Sequence, residues 1–156
     1  MRVLVLSDSH GMTRPLERAI DLHPDIEHII FLGDGLADIE DIKRYYNKRF
    51  YIVRGNCDFA SGLPVVDTVT INGKKILFTH GHTLDVKYTT ERLLNLAKQS
   101  GADIALFGHT HIAYSEYKDG VYIINPGSVS RSRNGADSYA IIDIVKEGIM
   151  PNIIKI

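Results

Sequence analysis

Asp8-x-His10, Asp34, Asn56 with Asp58, His80-x-His82 and His109-x-His111 form five short polar groups, each placed just after an apolar run of strand length. Carboxylates, an amide oxygen and imidazoles are the donors that suit intermediate divalent ions such as Mn²⁺, Fe²⁺, Co²⁺, Ni²⁺ or Zn²⁺. There are more donors than one ion can use. Five of the seven histidines lie in these groups, while His23 and His28 do not. A lone Asp-x-His or His-x-His is more often a capped turn or a hydrogen-bonded surface pair. Several of them at strand ends that converge on one sheet edge read instead as a metal site.

The elements that must position these groups follow from hydrophobic periodicity. "RVLVLS" (2–7), "HIIFLGD" (28–34) and "FYIVRGNCD" (50–58) are buried strands ending in polar residues. Between them, Leu16, Ala19 and Ile20 stripe a helix from Pro15 to about Leu22, and Ile39, Ile42 and Tyr46 stripe a second. Two successive strand-loop-helix units predict a parallel sheet with right-handed crossovers. The pattern then becomes antiparallel, because "VVDTVTI" and "KILFTH" flank the hairpin signal Asn72-Gly73. A helix from about Thr89 to Gln99 is expected to bury Leu93, Leu96 and Ala97 and to stop at Gly101. "DIALFGHTH" ends in the last histidine pair. The strands "AYSEYKDGVYIIN", "SYAIIDIV" and "IMPNIIKI" follow, with turns at Asp119-Gly120 and at Lys146-Glu147-Gly148.

The chain of 156 residues fits one domain, 1–156, with a core that needs neither disulfide nor partner. With 18 basic and 19 acidic residues and no block of like charge, an extended nucleic-acid surface is not expected. Cys57 is the only cysteine, so no internal disulfide can form. The apolar run at the N-terminus is too short for a signal peptide and no stretch approaches a membrane span. A cytoplasmic protein is expected.

The ordered series "DSH", "GD", "GNCD", "HGH", "GHTH" and "NPGS", running from residue 8 to residue 128, resembles the calcineurin-like metallophosphoesterases, specifically the small prokaryotic YfcE-like phosphodiesterases. The resemblance implies an α/β fold in which a β-sandwich of two mixed sheets is flanked by helices, four layers in all. It implies that Asp8, His10, Asp34 and His111 hold one divalent ion and that Asp34, Asn56, His80 and His109 hold a second, Asp34 bridging. Manganese comes first, with nickel, iron, cobalt or zinc as alternatives. The ions would stand about 3.5 to 4 Å apart and share a water that attacks phosphorus in line. Two divalent ions balance two carboxylates, a hydroxide and a diester monoanion, which favours a small phosphodiester over a monoester. His109 and His111 would face one cleft as alternate residues of an extended segment, with Gly108 leaving room. A homo-oligomer is plausible for such proteins. The same fold also serves as a scaffold subunit of retromer-type complexes in which the metal site has decayed, and the complete ligand set argues against that reading here.

One position departs from the wider family, whose members often carry a histidine after the asparagine of "GN" as proton donor to the leaving group. Here Cys57 stands there, read as a small packing residue with a reactive or metal-binding thiol as the alternative. The candidate catalytic residues are then His82, as replacement acid or a hydrogen-bonded loop histidine, and Asp58, which either orients a histidine ligand or is a surface turn acid. Asn125 and Ser128 read as a structural turn closing over the site, with phosphate contact second. Arg54 reads as a solvated strand end, Asp38 as a favourable charge at a helix N-terminus, and Tyr114, Tyr117 and Tyr122 as packing on sheet faces. Phe59, Leu63 and Pro64, in the segment 59–64, either line a pocket or pack.

Overall fold

The computed structural model describes residues 1–59 and 61–156. Ten strands and three helices alternate along them: β1 (Arg2–Leu6), α1 (Thr13–Asp21), β2 (His28–Phe31), α2 (Leu36–Ile42), β3 (Arg49–Ile52), β4 (Val66–Ile71), β5 (Lys74–Thr79), α3 (Glu91–Ser100), β6 (Ile104–Leu106), β7 (Tyr114–Lys118), β8 (Val121–Asn125), β9 (Ser138–Val145) and β10 (Gly148–Lys155). They build two mixed five-stranded sheets, ordered β10-β9-β1-β2-β3 and β4-β5-β6-β8-β7. β1, β2 and β3 are parallel neighbours, as are β5, β6 and β8, and antiparallel strands complete each sheet.

Strand periodicity sorts the core into three layers of side chains. Val3, Val5, Ile30 and Leu32 of the first sheet meet Ile76, Phe78, Ile104, Leu106 and Ile124 of the second. The alternate residues Leu4, Leu6, Ile29 and Phe31 point the other way, onto Leu16, Ala19 and Ile20 of α1 and Ile39 and Ile42 of α2. Leu77, Ala105 and Ile123 pack outward against Leu93, Leu94 and Ala97 of α3. A central residue such as Ile30, with no exposed surface, contributes strongly, and truncation to alanine would cost about 3 kcal/mol.

The structure differs locally from the sequence expectations. α2 ends at Ile42, so Tyr46 lies beyond it and donates its hydroxyl to Asp21 at 2.8 Å. α3 buries Leu94 where Leu96 was expected, and Leu96 is only half-buried. Gly148 already belongs to β10, leaving Lys146 and Glu147 as the turn. Asn72 and Gly73 do form the positive-φ pair of the β4–β5 hairpin, at 49° and 77°, and Gly101 stops α3 at 67°. Tyr122 leans on the core and Tyr117 packs on it with ring centroids 4.6 Å apart. In segment 59–64, residue 60 lies outside the described residues, and Phe59 faces solvent. No helix among the described residues is long and apolar enough to cross a membrane.

Candidate metal centre

The five polar groups stand after β1, β2, β3, β5 and β6, so they come from two sheets, not from the edge of one. Packing the sheets face to face brings both sets of strand ends into a single cleft of about 260 Å³, lined by His10, Asp34, Asn56, Cys57, His109 and His111, with Lys87, Arg131 and Arg133 at its rim.

The backbone pays for this convergence. Asp8, His10, Asp34, His109 and His111 all sit in the left-handed region, with φ of 56°, 45°, 56°, 66° and 60°. Each such residue costs about 1 kcal/mol and persists where its surroundings over-determine it. The segment holding His109 and His111 is therefore not extended, as alternation had suggested. It is a tight loop in which the Thr110 amide donates to the Gly108 carbonyl at 2.7 Å. Gly108 does leave room, since a Cβ there would stand 2.2 Å from Ser7 Oγ.

Donor atoms gather in two main groups, Asp8 with His10 and His111, and Asp34 with His80 and His109, and within each group the atoms lie within 4.8 Å of one another. In the first, His10 Nε2 and His111 Nε2 face each other at 3.1 Å. In the second, His80 Nε2 is 3.2 Å from His109 Nδ1 and 3.1 Å from Asn56 Oδ1. Asp34 Oδ2 reaches both sides, 3.4 Å from His80 Nε2 and 3.9 Å from His10 Nε2. His80 Nδ1 donates to the Leu32 carbonyl at 2.8 Å and His111 Nδ1 to the Arg131 carbonyl at 2.8 Å, which turns both Nε2 lone pairs into the cleft.

Asp8 tests whether a cation fits. Its Oδ2 accepts from Ser7 Oγ at 2.5 Å and from the His109 amide at 3.2 Å, whereas Oδ1 is buried with no hydrogen-bond partner. That oxygen lies 3.2 Å from His111 Nε2 and 3.8 Å from His10 Nε2, without hydrogen-bond geometry. A buried carboxylate oxygen without a donor is costly unless a cation takes it, so the donor set fits a divalent ion.

Protonation follows the same logic. Burial alone would raise the Asp34 carboxyl, but His80 and the Cys57 amide hold it well below the usual carboxylate range. Burial would also lower His80, yet Asp34 and Asp8 outweigh it and raise the ring, while Asp8 raises His111. Burial lowers His10, and it pushes His109 down to about 4 with help from His80.

Three expectations need correction. Asp58 is neither a surface turn acid nor bonded to a histidine: it is buried, and its carboxylate accepts the backbone amides of Asp34, Gly35, Leu36 and Gly55 at 2.7 to 3.0 Å. Cys57 is not the small packing residue expected first: it is exposed, and its Sγ forms a third donor group with His10 and Asp34, as the alternative reading allowed. Burial raises its thiol, and Asp34 adds to the effect. His82 is not a hydrogen-bonded loop histidine, because its Nδ1 is buried without a partner. The ring belongs to none of the donor groups and lies 5.4 Å from His80 and 6.2 Å from His109.

The supports around these residues were only partly visible in sequence. Asn125 Nδ2 donates to the Gly108 carbonyl, and Ser128 Oγ donates to the Asp8 carbonyl, so "NPGS" braces two ligand loops. Asp38, buried at the start of α2, accepts from Ser9 Oγ and the Gly11 amide and so fixes the Asp8-x-His10 loop. The rim cations Lys87, Arg131 and Arg133 were not anticipated. Isolated exposed cations have no periodic signal, and only the alternation of Arg131 and Arg133 just after "NPGS" hinted at a shared direction.

The family model for the calcineurin-like phosphoesterase superfamily domain matches residues 1–147. The chain belongs to that superfamily. Among other phosphoesterase relatives, "Probable metallophosphoesterase YsnB" of Bacillus subtilis is 37% identical over 92% of this chain and 85% of its own length. Phosphodiesterase YfcE of Escherichia coli is 26% identical over 92% and 88%. Vacuolar protein sorting-associated protein 29 of Schizosaccharomyces pombe is 31% identical over 86% and 75%. The phosphoesterase fold is shared with the crystal structure of a predicted phosphoesterase of Streptococcus pneumoniae, with a TM-score of 0.85 at 26% identity over 99% of this chain and 88% of that one.

Proposed function

We propose that this phosphoesterase is a phosphodiesterase that works with two divalent ions, manganese first among them, on a small phosphodiester. The observation that carries the reading is Asp34 Oδ2, which faces both His10 and His80 and so joins the two donor groups. The ions, when bound, supply a water acidic enough to attack phosphorus at neutral pH and offset the charge that grows on the phosphoryl oxygens. Asp8, His10 and His111 would hold an ion on one side and Asn56, His80 and His109 one on the other, with Asp34 placed to serve both. Lys87, Arg131 and Arg133 add positive charge at the rim, where non-bridging oxygens would lie. His82 is the nearest imidazole outside the donor groups and is the candidate to pass a proton to the leaving oxygen. Asp58 acts at one remove, by fixing the backbone that carries Asp34.

Hydrolysis of bis(p-nitrophenyl) phosphate, beside p-nitrophenyl phosphate, tests the reading with Mn²⁺, with a chelator and in Asp34→Asn. Diester turnover that exceeds monoester turnover and disappears with chelator and in Asp34→Asn is the expected result. The similarity to a vacuolar protein sorting-associated protein favours a second reading, a binding subunit that has kept the fold. Metal-loaded protein that hydrolyses neither ester would favour it.

A further inference from the structure

A second cavity, of about 680 Å³, opens directly beside the metal cleft and shares Lys87 and Arg133 with it. The cleft itself falls below the size range of sites for small organic ligands, whereas the neighbouring groove lies within it. Its walls carry Tyr88, Phe107, Ile112 and Tyr114. Tyr88, Ile112 and Tyr114 remain 89%, 41% and 37% exposed around this one groove, so a ligand there would meet apolar side chains from water. Tyr114 is held in place: its ring meets Phe107 edge-on at 6.1 Å and its hydroxyl donates to Glu116.

The neck between groove and cleft is cationic. Lys87 and Arg133, which line both, take part in no ion pair among the described residues, whereas Lys74, Arg92, Lys98 and Lys118 each meet an acid. The groove also carries Thr89, Thr90 and Glu116, polar groups that an alkyl chain would desolvate without return and that the edge of a heteroaromatic ring can engage.

We propose that the groove receives the nucleoside of a nucleotide diester, its base against Tyr88, Ile112 and Tyr114 and its phosphate drawn through the neck by Lys87 and Arg133 toward the metal cleft. The proposal rests on the phosphodiesterase reading and names its substrate class. Hydrolysis of such a diester forms one P–O bond to water and breaks one ester P–O bond, giving a nucleoside monophosphate and an alcohol that carries off the proton.

Product inhibition isolates the groove, because thymidine 5′-monophosphate and methyl phosphate offer the same phosphate and differ only in what would enter the groove. Against bis(p-nitrophenyl) phosphate turnover by the metal-loaded protein, the nucleotide is expected to have an inhibition constant about ten- to a hundredfold lower than methyl phosphate. Tyr114→Ala should bring that ratio close to one. Tyr88→Ala, at a position that is almost wholly exposed, should lower it without disturbing packing. Equal inhibition by the two phosphates, or a preference that survives both substitutions, overturns the proposal. Should the protein turn over no diester, the phosphodiesterase reading fails by itself. The groove is then read directly by ¹H–¹⁵N shifts on adding each phosphate to the chelator-treated protein: nucleotide-specific shifts at Tyr88, Ile112 and Tyr114 uphold it, and their absence overturns it.

Discussion

Asp58 grips the main chain of Asp34: its Oδ2 accepts the Asp34 amide at 2.8 Å, while Asp34 Oδ1 accepts the amide of Cys57, the residue before Asp58, at 2.8 Å. The two loops lock each other, and the lock holds Asp34 at φ 56°. In Asp58→Asn the side chain presents an N–H₂ to amides that need an acceptor. Stability should fall by about 2 kcal/mol, and metal uptake should weaken with it. Urea denaturation and bound-metal analysis read both, and a variant that matches wild type in both would falsify the lock.

Gly55 gives a sharper test of Asp34 because a Cβ there would lie 2.0 Å from its Oδ1. Gly55→Ala must displace the carboxylate or the loop, so metal-dependent turnover should drop more than tenfold while far-UV circular dichroism stays native. Gly73→Ala is the control: it meets nothing within 4 Å and strains only a hairpin with φ of 77°, costing about 1 kcal/mol. Its turnover should be that of wild type, and equal losses in the two variants would mean that the clash at Asp34 is not the cause.

Cys57 opens on the cleft within reach of His10 and Asp34, so a side chain at this position faces the space a bound diester would enter. Cys57→His should therefore speed hydrolysis of diesters with poor leaving groups more than those with good ones. A leaving-group series measures this as a shallower dependence of kcat/KM on the pKa of the leaving alcohol. An unchanged slope would show that proton donation does not limit the rate.

Asp103 gives a pH effect away from the metal centre. It accepts from the Lys75 amide at 2.9 Å and from Lys74 Nζ at 3.0 Å, and although burial alone would raise its carboxyl, these contacts lower it. A carboxyl whose pKa is lower folded than unfolded adds stability above the unfolded value and loses it as pH falls through the folded one. Asp103→Asn should thus be less stable than wild type by about 1 kcal/mol at neutral pH. The two should converge as the medium is acidified below about pH 4. Urea midpoints across that range decide it, and a constant gap would exclude the ionised form as the source.

Local patterns carried much of the protein in the sequence itself. Alternation and apolar runs marked β1, β2, β5 and β6, Asn72-Gly73 marked the hairpin, and each polar group was legible because it follows its strand directly. The superfamily was legible for the same reason, since its motifs are short and ordered. Contacts between distant residues were not. His10 and His111 are 101 positions apart, and only the packing of one sheet on the other turns their ring nitrogens toward Asp8. The hold of Asp58 on four amides depends on backbone directions set by left-handed residues, which an Asp or His does not announce. The groove beside the cleft is likewise a property of the surface, where exposed side chains leave no period to read. Neighbours in the chain decided which residues could form a strand and its tip. Only the tertiary structure decided which tips meet, because burying both sheet faces in one core sets the distances between them.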